Sequence, residues 1–205
     1  MNTAPRIAIV DDDRDVRESL KVLLEAAGYV VHPYQSAKAV LADEFAAQCG
    51  CLIADIRMPE MDGLELQLEL VRRGYALPVI VMTGHADVPL AVRAMKAGAA
   101  DFIEKPYSPD EMLQSVRNAL ELGKKTLGKL AEAKRALEAL AVLTPREREV
   151  FDQIVAGRPN KVAAYELGIS PRTVEIHRAH VMSKMNVRSL SDLVRISLAA
   201  ASGVN

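Results

Sequence analysis

Short, mostly apolar runs alternate with amphipathic segments over the first 122 residues. The runs lie near 6–10, 30–34, 51–55, 78–83 and 101–104 and have the length of strands. Between them, segments near 14–27, 36–47, 64–73, 88–98 and 109–122 repeat apolar residues at three- and four-residue spacing, as helices with one buried face do. Runs with little polar alternation suit strands covered on both faces. The pattern therefore predicts an α/β fold, a five-stranded parallel sheet between helices. Ser36, Asp87 and Ser108 stand where helix N-caps belong, the last two with Pro close behind. Gly28, Gly74 and Gly98 sit just past helix ends.

The pattern then changes. Residues 121–142 are rich in Ala, Leu, Lys and Glu, all good helix formers, and read as a helical linker. Leu113, Val116, Leu120, Leu127, Leu130 and Leu137 make a roughly heptad stripe, interrupted by Gly123 and Gly128. Two readings stay open: a linker that packs on its neighbours, or a short coil paired between two protomers, with the glycines as hinges. From Thr144 a third pattern begins. T-P-R-E at 144–147 is a capping box with Pro at the first helical position, predicting a helix to about Ala156 that buries Val150, Ile154 and Val155. A short helix follows through Leu167, then a turn at Gly168-Ile169, a cap at Ser170, a helix from Pro171 to about Met185, and a last helix after Ser189. Two helices joined by a short Gly-containing turn make a helix-turn-helix. The domains expected are 1–122, a linker at 123–142, and an all-α four-helix unit at 143–205.

Charge supports the division. Residues 1–124 carry 13 basic against 19 acidic side chains, whereas residues 125–205 carry 13 against 8. An acidic front and a basic back point to a polyanionic partner for the second module. No N-terminal run resembles a signal peptide and no apolar stretch is long enough to span a membrane, so a cytoplasmic protein without membrane partners is expected. Cys49 and Cys51 lack the second pair that a structural zinc cage needs. Cys51 reads as core and Cys49 as a surface or helix-end residue.

The chemistry gathers at strand ends. Asp11-Asp12-Asp13 closes the first run, Asp55 the third, Thr83 the fourth, and Lys105 follows the fifth. In a parallel sheet the carboxyl ends of the strands share one edge, where ligands bind. Asp12 and Asp55 can hold one Mg²⁺ (Mn²⁺ is the alternative), with Asp11 joining through a water. Asp55 can then attack phosphorus, while Thr83 and Lys105 take phosphoryl oxygens. Pro106 makes Lys105-Pro106 a candidate cis peptide that aims the Lys inward.

These residues carry a resemblance. V-D-D-D, D-x-R-M-P-x-M-D-G, M-T-G-H and E-K-P, over roughly residues 5–122, resemble the receiver domains of response regulators. The resemblance implies a flavodoxin-like fold, a phosphoacceptor at Asp55, and a metal set of Asp11, Asp12, Asp55 and Arg57. It also implies phosphate-contacting and switch roles for Thr83, Phe102, Lys105 and Pro106, with Phe102 at the aromatic switch position. Val92, Met95, Lys96 and Asp101 lie on the surface such a switch would reshape and are candidate dimer residues. L-T-P-R-E-R-E-V at 143–150, N-K-V-A-A-Y-E-L-G-I-S at 160–170 and R-T-V-E-I-H-R at 172–178 resemble LuxR-type DNA-binding domains.

On helix 171–185 the spacing turns Val174, Val181 and Met185 to the core. Arg172, Glu175, Ile176 and Ala179 are left for the major groove. Glu175 can accept from cytosine N4 and Ile176 can touch a thymine methyl. Lys161, Thr173, Arg178 and Lys184 are expected on phosphates, and His177 reads either as packing or as a backbone contact. Over the whole chain the sequence resembles FixJ-type regulators. That implies a sensor histidine kinase of FixL type as phosphodonor, a homodimer when phosphorylated, double-stranded promoter DNA and RNA polymerase as partners, and nitrogen-fixation or microaerobic genes as targets.

Two rival readings are weighed. A phosphorylation-independent DNA-binding protein would carry a vestigial receiver, yet every phosphorylation residue is present. A Mg²⁺-dependent phosphatase would need an acid two residues after its nucleophile, and Arg57 stands there. Only its own phosphotransfer and slow dephosphorylation are expected, not turnover as an enzyme.

Overall fold

Five parallel strands form one sheet in the order β2-β1-β3-β4-β5: β1 (Arg6–Val10), β2 (Val30–Tyr34), β3 (Cys51–Asp55), β4 (Val79–Thr83) and β5 (Asp101–Glu104). The computed structural model describes residues 4–84 and 88–202, so the expected cap Asp87 lies outside the described residues. Every residue of β3 and β4 is buried, as are Ile7 to Val10 of β1. These central strands are the ones whose sequence shows least polar alternation, because both faces meet helices.

One face packs Ile7, Ile9, Ile53, Ile80 and Met82 against Leu20 and Leu24 of α1 (Arg14–Ala26). The same face receives Met112, Val116 and Leu120 from the start of α5 (Pro109–Ala141). On the other face Ala8, Val10, Leu52, Ala54 and Val81 meet α2 (Ala37–Ala42), α3 (Gly63–Arg72) and α4 (Val88–Lys96), through Val40, Leu66, Leu70 and Ala94. Ser36 and Ser108 do cap, accepting from Ala39 N at 3.2 Å and from Glu111 N at 3.1 Å. Gly28, Gly74 and Gly98 all take positive φ at helix ends.

Two expectations are corrected. The amphipathic stretch 36–47 is not one helix: α2 stops at Ala42, and a short 3₁₀ turn follows at Ala46–Gln48. Asp43 breaks it, accepting from Phe45 N at 2.9 Å and from the Tyr34 hydroxyl at 2.9 Å, so its carboxylate serves a turn instead of the helix. Cys49 ends the 3₁₀ turn but is buried, not on the surface, and burial pushes its thiol up to about 11. The linker is helical as expected and continues α5 without a break.

The chain falls into two compact units that divide between Leu127 and Gly128. In the second, α6 (Pro145–Val155), α7 (Asn160–Leu167), α8 (Pro171–Lys184) and α9 (Leu190–Ser202) enclose Val150, Ile154, Val174, Val181 and Leu193. The end of α5 contributes Ala136 and Leu140 to this core. The leucine stripe therefore divides: Val116 and Leu120 are buried, whereas Leu127, Leu130 and Leu137 are exposed and alanine does the packing. Phe151 is fully buried where the spacing pointed to Val155, which is only half-buried. Thr144 makes the expected capping box with Glu147, and Gly168 closes α7 in the left-handed conformation at φ 64°.

Candidate functional site

The strand order reverses between β1 and β3, and the carboxyl edge of the sheet opens there. Asp11 leaves β1, Asp55 ends β3, Thr83 ends β4, and Lys105 follows β5. Asp11, Asp55 and Thr83 are all buried. Lys105 Nζ donates to Asp11 Oδ2 at 2.8 Å and to Asp55 Oδ1 at 2.6 Å. One ammonium thus holds two carboxylates that the chain places 44 residues apart. Burial pushes the Asp55 carboxyl above the usual carboxylate range, against the pull of Lys105, because one cation cannot balance two buried anions. Burial draws the Lys105 ammonium down, but its bonds to Asp11 and Asp55 outweigh that and raise it.

The surrounding loops are fixed by backbone N–H groups. Asp55 Oδ2 accepts from Arg57 N at 2.6 Å, and Asp11 Oδ1 accepts from Asp13 N at 2.9 Å. Asp13 is spent on capping α1, accepting from Asp15 N at 2.8 Å. Gly63 closes the D-I-R-M-P-E-M-D-G loop because a Cβ there would lie 2.4 Å from the Asp55 carbonyl. Sequence reasoning missed Arg17, whose Nη1 donates to the Asp11 carbonyl at 2.6 Å. The Lys105-Pro106 bond is cis.

The acidic residue brought against Asp55 is Asp11, while Asp12 lies exposed. Among the described residues no three acidic, His or Cys side chains converge as a ready cage. The donor set nonetheless fits a hard cation: two buried carboxylates with net negative charge and only oxygen donors.

Phe102 is half-buried on β5, opposite Val81 and on the face shared with α4. Val92, Met95 and Lys96 are exposed on α4, and Val88, one turn before Val92, extends the apolar strip at 78% exposure. Asp101 is half-buried and accepts from Phe102 N at 2.9 Å.

In the second unit α8 buries Val174, Val181 and Met185 as its spacing predicts, leaving Arg172, Glu175, Ile176 and Ala179 exposed. Arg172 Nη1 pairs with Glu175 Oε2 at 3.1 Å. Thr173 N binds the Ser170 cap at 3.1 Å, Lys161 is exposed, and Arg178 is half-buried. His177 is half-buried, and its Nδ1 is shielded from solvent without a partner. Lys184 Nζ lies 2.7 Å from Oε2 of buried Glu147 and joins α8 to α6. That bond, with the Thr144 N–H, holds the Glu147 carboxyl down at about 2.

A phosphorylation-type edge on one unit and a helix-turn-helix on the other define a receiver-domain transcription regulator, not a conventional enzyme. Residues 7–117 match the response regulator receiver domain, and residues 141–197 match the bacterial regulatory proteins of the luxR family. The chain is 48% identical over 201 residues to the transcriptional regulatory protein FixJ of Azorhizobium caulinodans, spanning 95% of this chain and 92% of that one. It is 43% identical over 194 residues to the response regulator protein TmoT of Ectopseudomonas mendocina, spanning 93% and 87%. Among solved structures, response regulator StyR superposes with a TM-score of 0.79 at 38% identity, covering 95% of this chain and 98% of that one. Full-length FixJ from B. japonicum gives 0.60 at 41% identity, covering 98% and 99%. The chain belongs to the FixJ-type response regulators.

Proposed function

We propose that the protein is a phosphorylation-switched transcription regulator whose phosphoacceptor is Asp55. The observation that carries this reading is the single Lys105 ammonium held 2.6 Å from Asp55 and 2.8 Å from Asp11 at the sheet edge. A carboxylate that is buried but anchored by a cation is a nucleophile already desolvated and aimed. When bound, Mg²⁺ supplies charge neutralisation between the carboxylates and the incoming phosphoryl group. Asp55 and the neighbouring Asp11 and Asp12 are the carboxylates that would hold it. Arg57 can add only its main-chain oxygen, because its guanidinium has no acceptor.

In the transfer step, an Asp55 carboxylate oxygen forms the new P–O bond. The P–N bond of the kinase's phosphohistidine breaks, and the imidazole nitrogen leaves with the electron pair. Lys105 then exchanges an Asp55 oxygen for a phosphoryl oxygen, and Thr83 turns its hydroxyl to another. The space Thr83 vacates admits Phe102, and the rearrangement reaches α4 and β5, where Val92, Met95, Lys96 and Asp101 form the dimer surface. Two copies then place two α8 helices on a two-part operator in double-stranded DNA.

A sensor histidine kinase and promoter DNA are the partners of this class; a FixL-type kinase and RNA polymerase are the particular ones proposed. The resemblance makes nitrogen-fixation or microaerobic promoters the first to test. The experiment measures oligomeric state and DNA affinity with and without beryllofluoride and Mg²⁺, for wild type and Asp55→Asn. Dimerisation and tighter DNA binding in wild type alone are expected. Identical behaviour of both proteins under both conditions would leave a constitutive DNA-binding protein.

A further inference from the structure

Gln67 is the most deeply buried amide side chain among the described residues, at 2% exposure in the middle of α3. Its Nε2 donates to the carbonyl of Ala97 at 2.8 Å, just past the end of α4. A carbonyl only accepts, so the amide nitrogen must face it, and Oε1 is left buried without a partner. An aliphatic side chain of similar length would fill the space without that unpaired oxygen. The amide therefore has a use other than packing, and its one bond says what that is. Ala97 opens the turn in which Gly98 N returns to Met95 O and Ala99 N to Ala94 O. Gln67 ties this turn, and with it the end of α4, to α3.

The other end of α3 rests on the phosphoacceptor. Gly63 approaches the Asp55 carbonyl too closely for any Cβ, and its N–H donates to Ile56 O at 3.2 Å. Gly63 and Gln67 are four residues apart, so they lie one turn apart on the same face of the helix. Both are buried. A single helical turn thus connects the backbone of Asp55 to the carbonyl end of α4, without passing through Thr83 or Phe102.

We infer that Gln67 is a positioning residue of the switch: through α3 it straps the end of α4 in the unphosphorylated arrangement. This inference rests on the proposed role of α4 in dimerisation. Releasing the strap lets α4 move without a phosphoryl group, which raises the basal dimer population and narrows the gap between resting and activated states.

The test uses the full chain with Gln67→Met and Gln67→Leu, which keep the volume and remove the unpaired oxygen, so that folding survives. Amide hydrogen exchange over residues 94–100 and the dimer dissociation constant are measured with and without beryllofluoride and Mg²⁺. Expected are faster exchange over 94–100 in the resting variants and a ratio of activated to basal dimerisation compressed roughly 3- to 30-fold. Phosphorylation of Asp55 from a small-molecule donor should be no slower than in wild type, since a shift towards the activated arrangement favours it. Exchange equal to wild type in both states overturns the strap. Faster exchange with an unchanged dimerisation ratio overturns its coupling to the switch. Failure of the wild type itself to dimerise would count against the proposed function, whereas the exchange measurement would still decide whether the strap exists.

Discussion

At the scale of single residues, the acidic site is a frustrated cluster: two buried carboxylates on one ammonium. The Asp55 carboxyl is raised by burial, so folding favours its protonated form. The contribution of such a group is present at low pH and lost as pH rises through its folded value. Removing the charge should therefore help at neutral pH. In EDTA, Asp55→Asn is expected to unfold at higher urea than wild type at pH 7, with the difference closing towards about pH 3.5, below the ordinary carboxylate value; equal midpoints at both values would contradict the charge imbalance. Lys105→Met should do the opposite at pH 7, by about 1–3 kcal/mol after allowing for its partial exposure, since it strands both carboxylates.

Much of this site was legible because strand ends announce themselves: an apolar run that stops at Asp55, Thr83 or the acidic triplet leaves few other placements. Which aspartate of the triplet turns towards Asp55 was not legible, since the direction of a side chain after a strand depends on the loop's hydrogen bonds. The bond of Lys184 to Glu147 was not legible for a related reason. A basic residue on a recognition helix looks alike whether it faces a phosphate or a glutamate 37 residues away. Gln67 gave no signal, because a polar residue on an amphipathic helix reads as solvent-facing.

At the scale of elements, two glycines of the same helix have different work. Gly123 lies where a Cβ would come within 3.1 Å of both Gly50 O and Pro78 Cγ, so it permits close packing of α5 on the first unit. A Cβ added at Gly128 would meet nothing within 4 Å. Gly128→Ala is expected to stabilise the helix by about 0.5–1 kcal/mol, whereas Gly123→Ala gains less or loses, as thermal unfolding would read.

In α6, Glu147 serves both the capping box and Lys184. Its folded pKa of about 2 lies below the ordinary 4.5, so its stabilising contribution is present above pH 4.5 and fades as pH falls towards 2. Circular dichroism of the second unit should show acid loss in that window, blunted in Glu147→Gln. Thr144→Ala should cost about 1 kcal/mol through the lost cap. The strands and caps were readable from period and punctuation. The break at Asp43 was not, because the hydroxyl of Tyr34 that engages it comes from another element.

At the scale of the whole molecule, each half carries 13 basic side chains, and the uneven split of the acidic ones, 19 against 8, leaves the half with the helix-turn-helix net basic. If Lys161 contacts a phosphate, Lys161→Ala should weaken binding to all sequences alike and lower the salt slope by about one; a changed base preference with an unchanged slope would contradict that placement. No described helix is long and apolar enough to cross a membrane.

The division between the units does not fall where the motifs change. α5 begins in the first hydrophobic core with Met112 and Val116 and ends in the second with Ala136 and Leu140. Anyone grafting this output half onto a foreign sensor would naturally cut just before the L-T-P-R-E motif at Leu143. That cut would leave Ala136 and Leu140 behind and open the donor's core. For shuffling of such halves, by recombination or in the laboratory, the viable splice point lies upstream of Ala136, inside a helix where no sequence motif marks it.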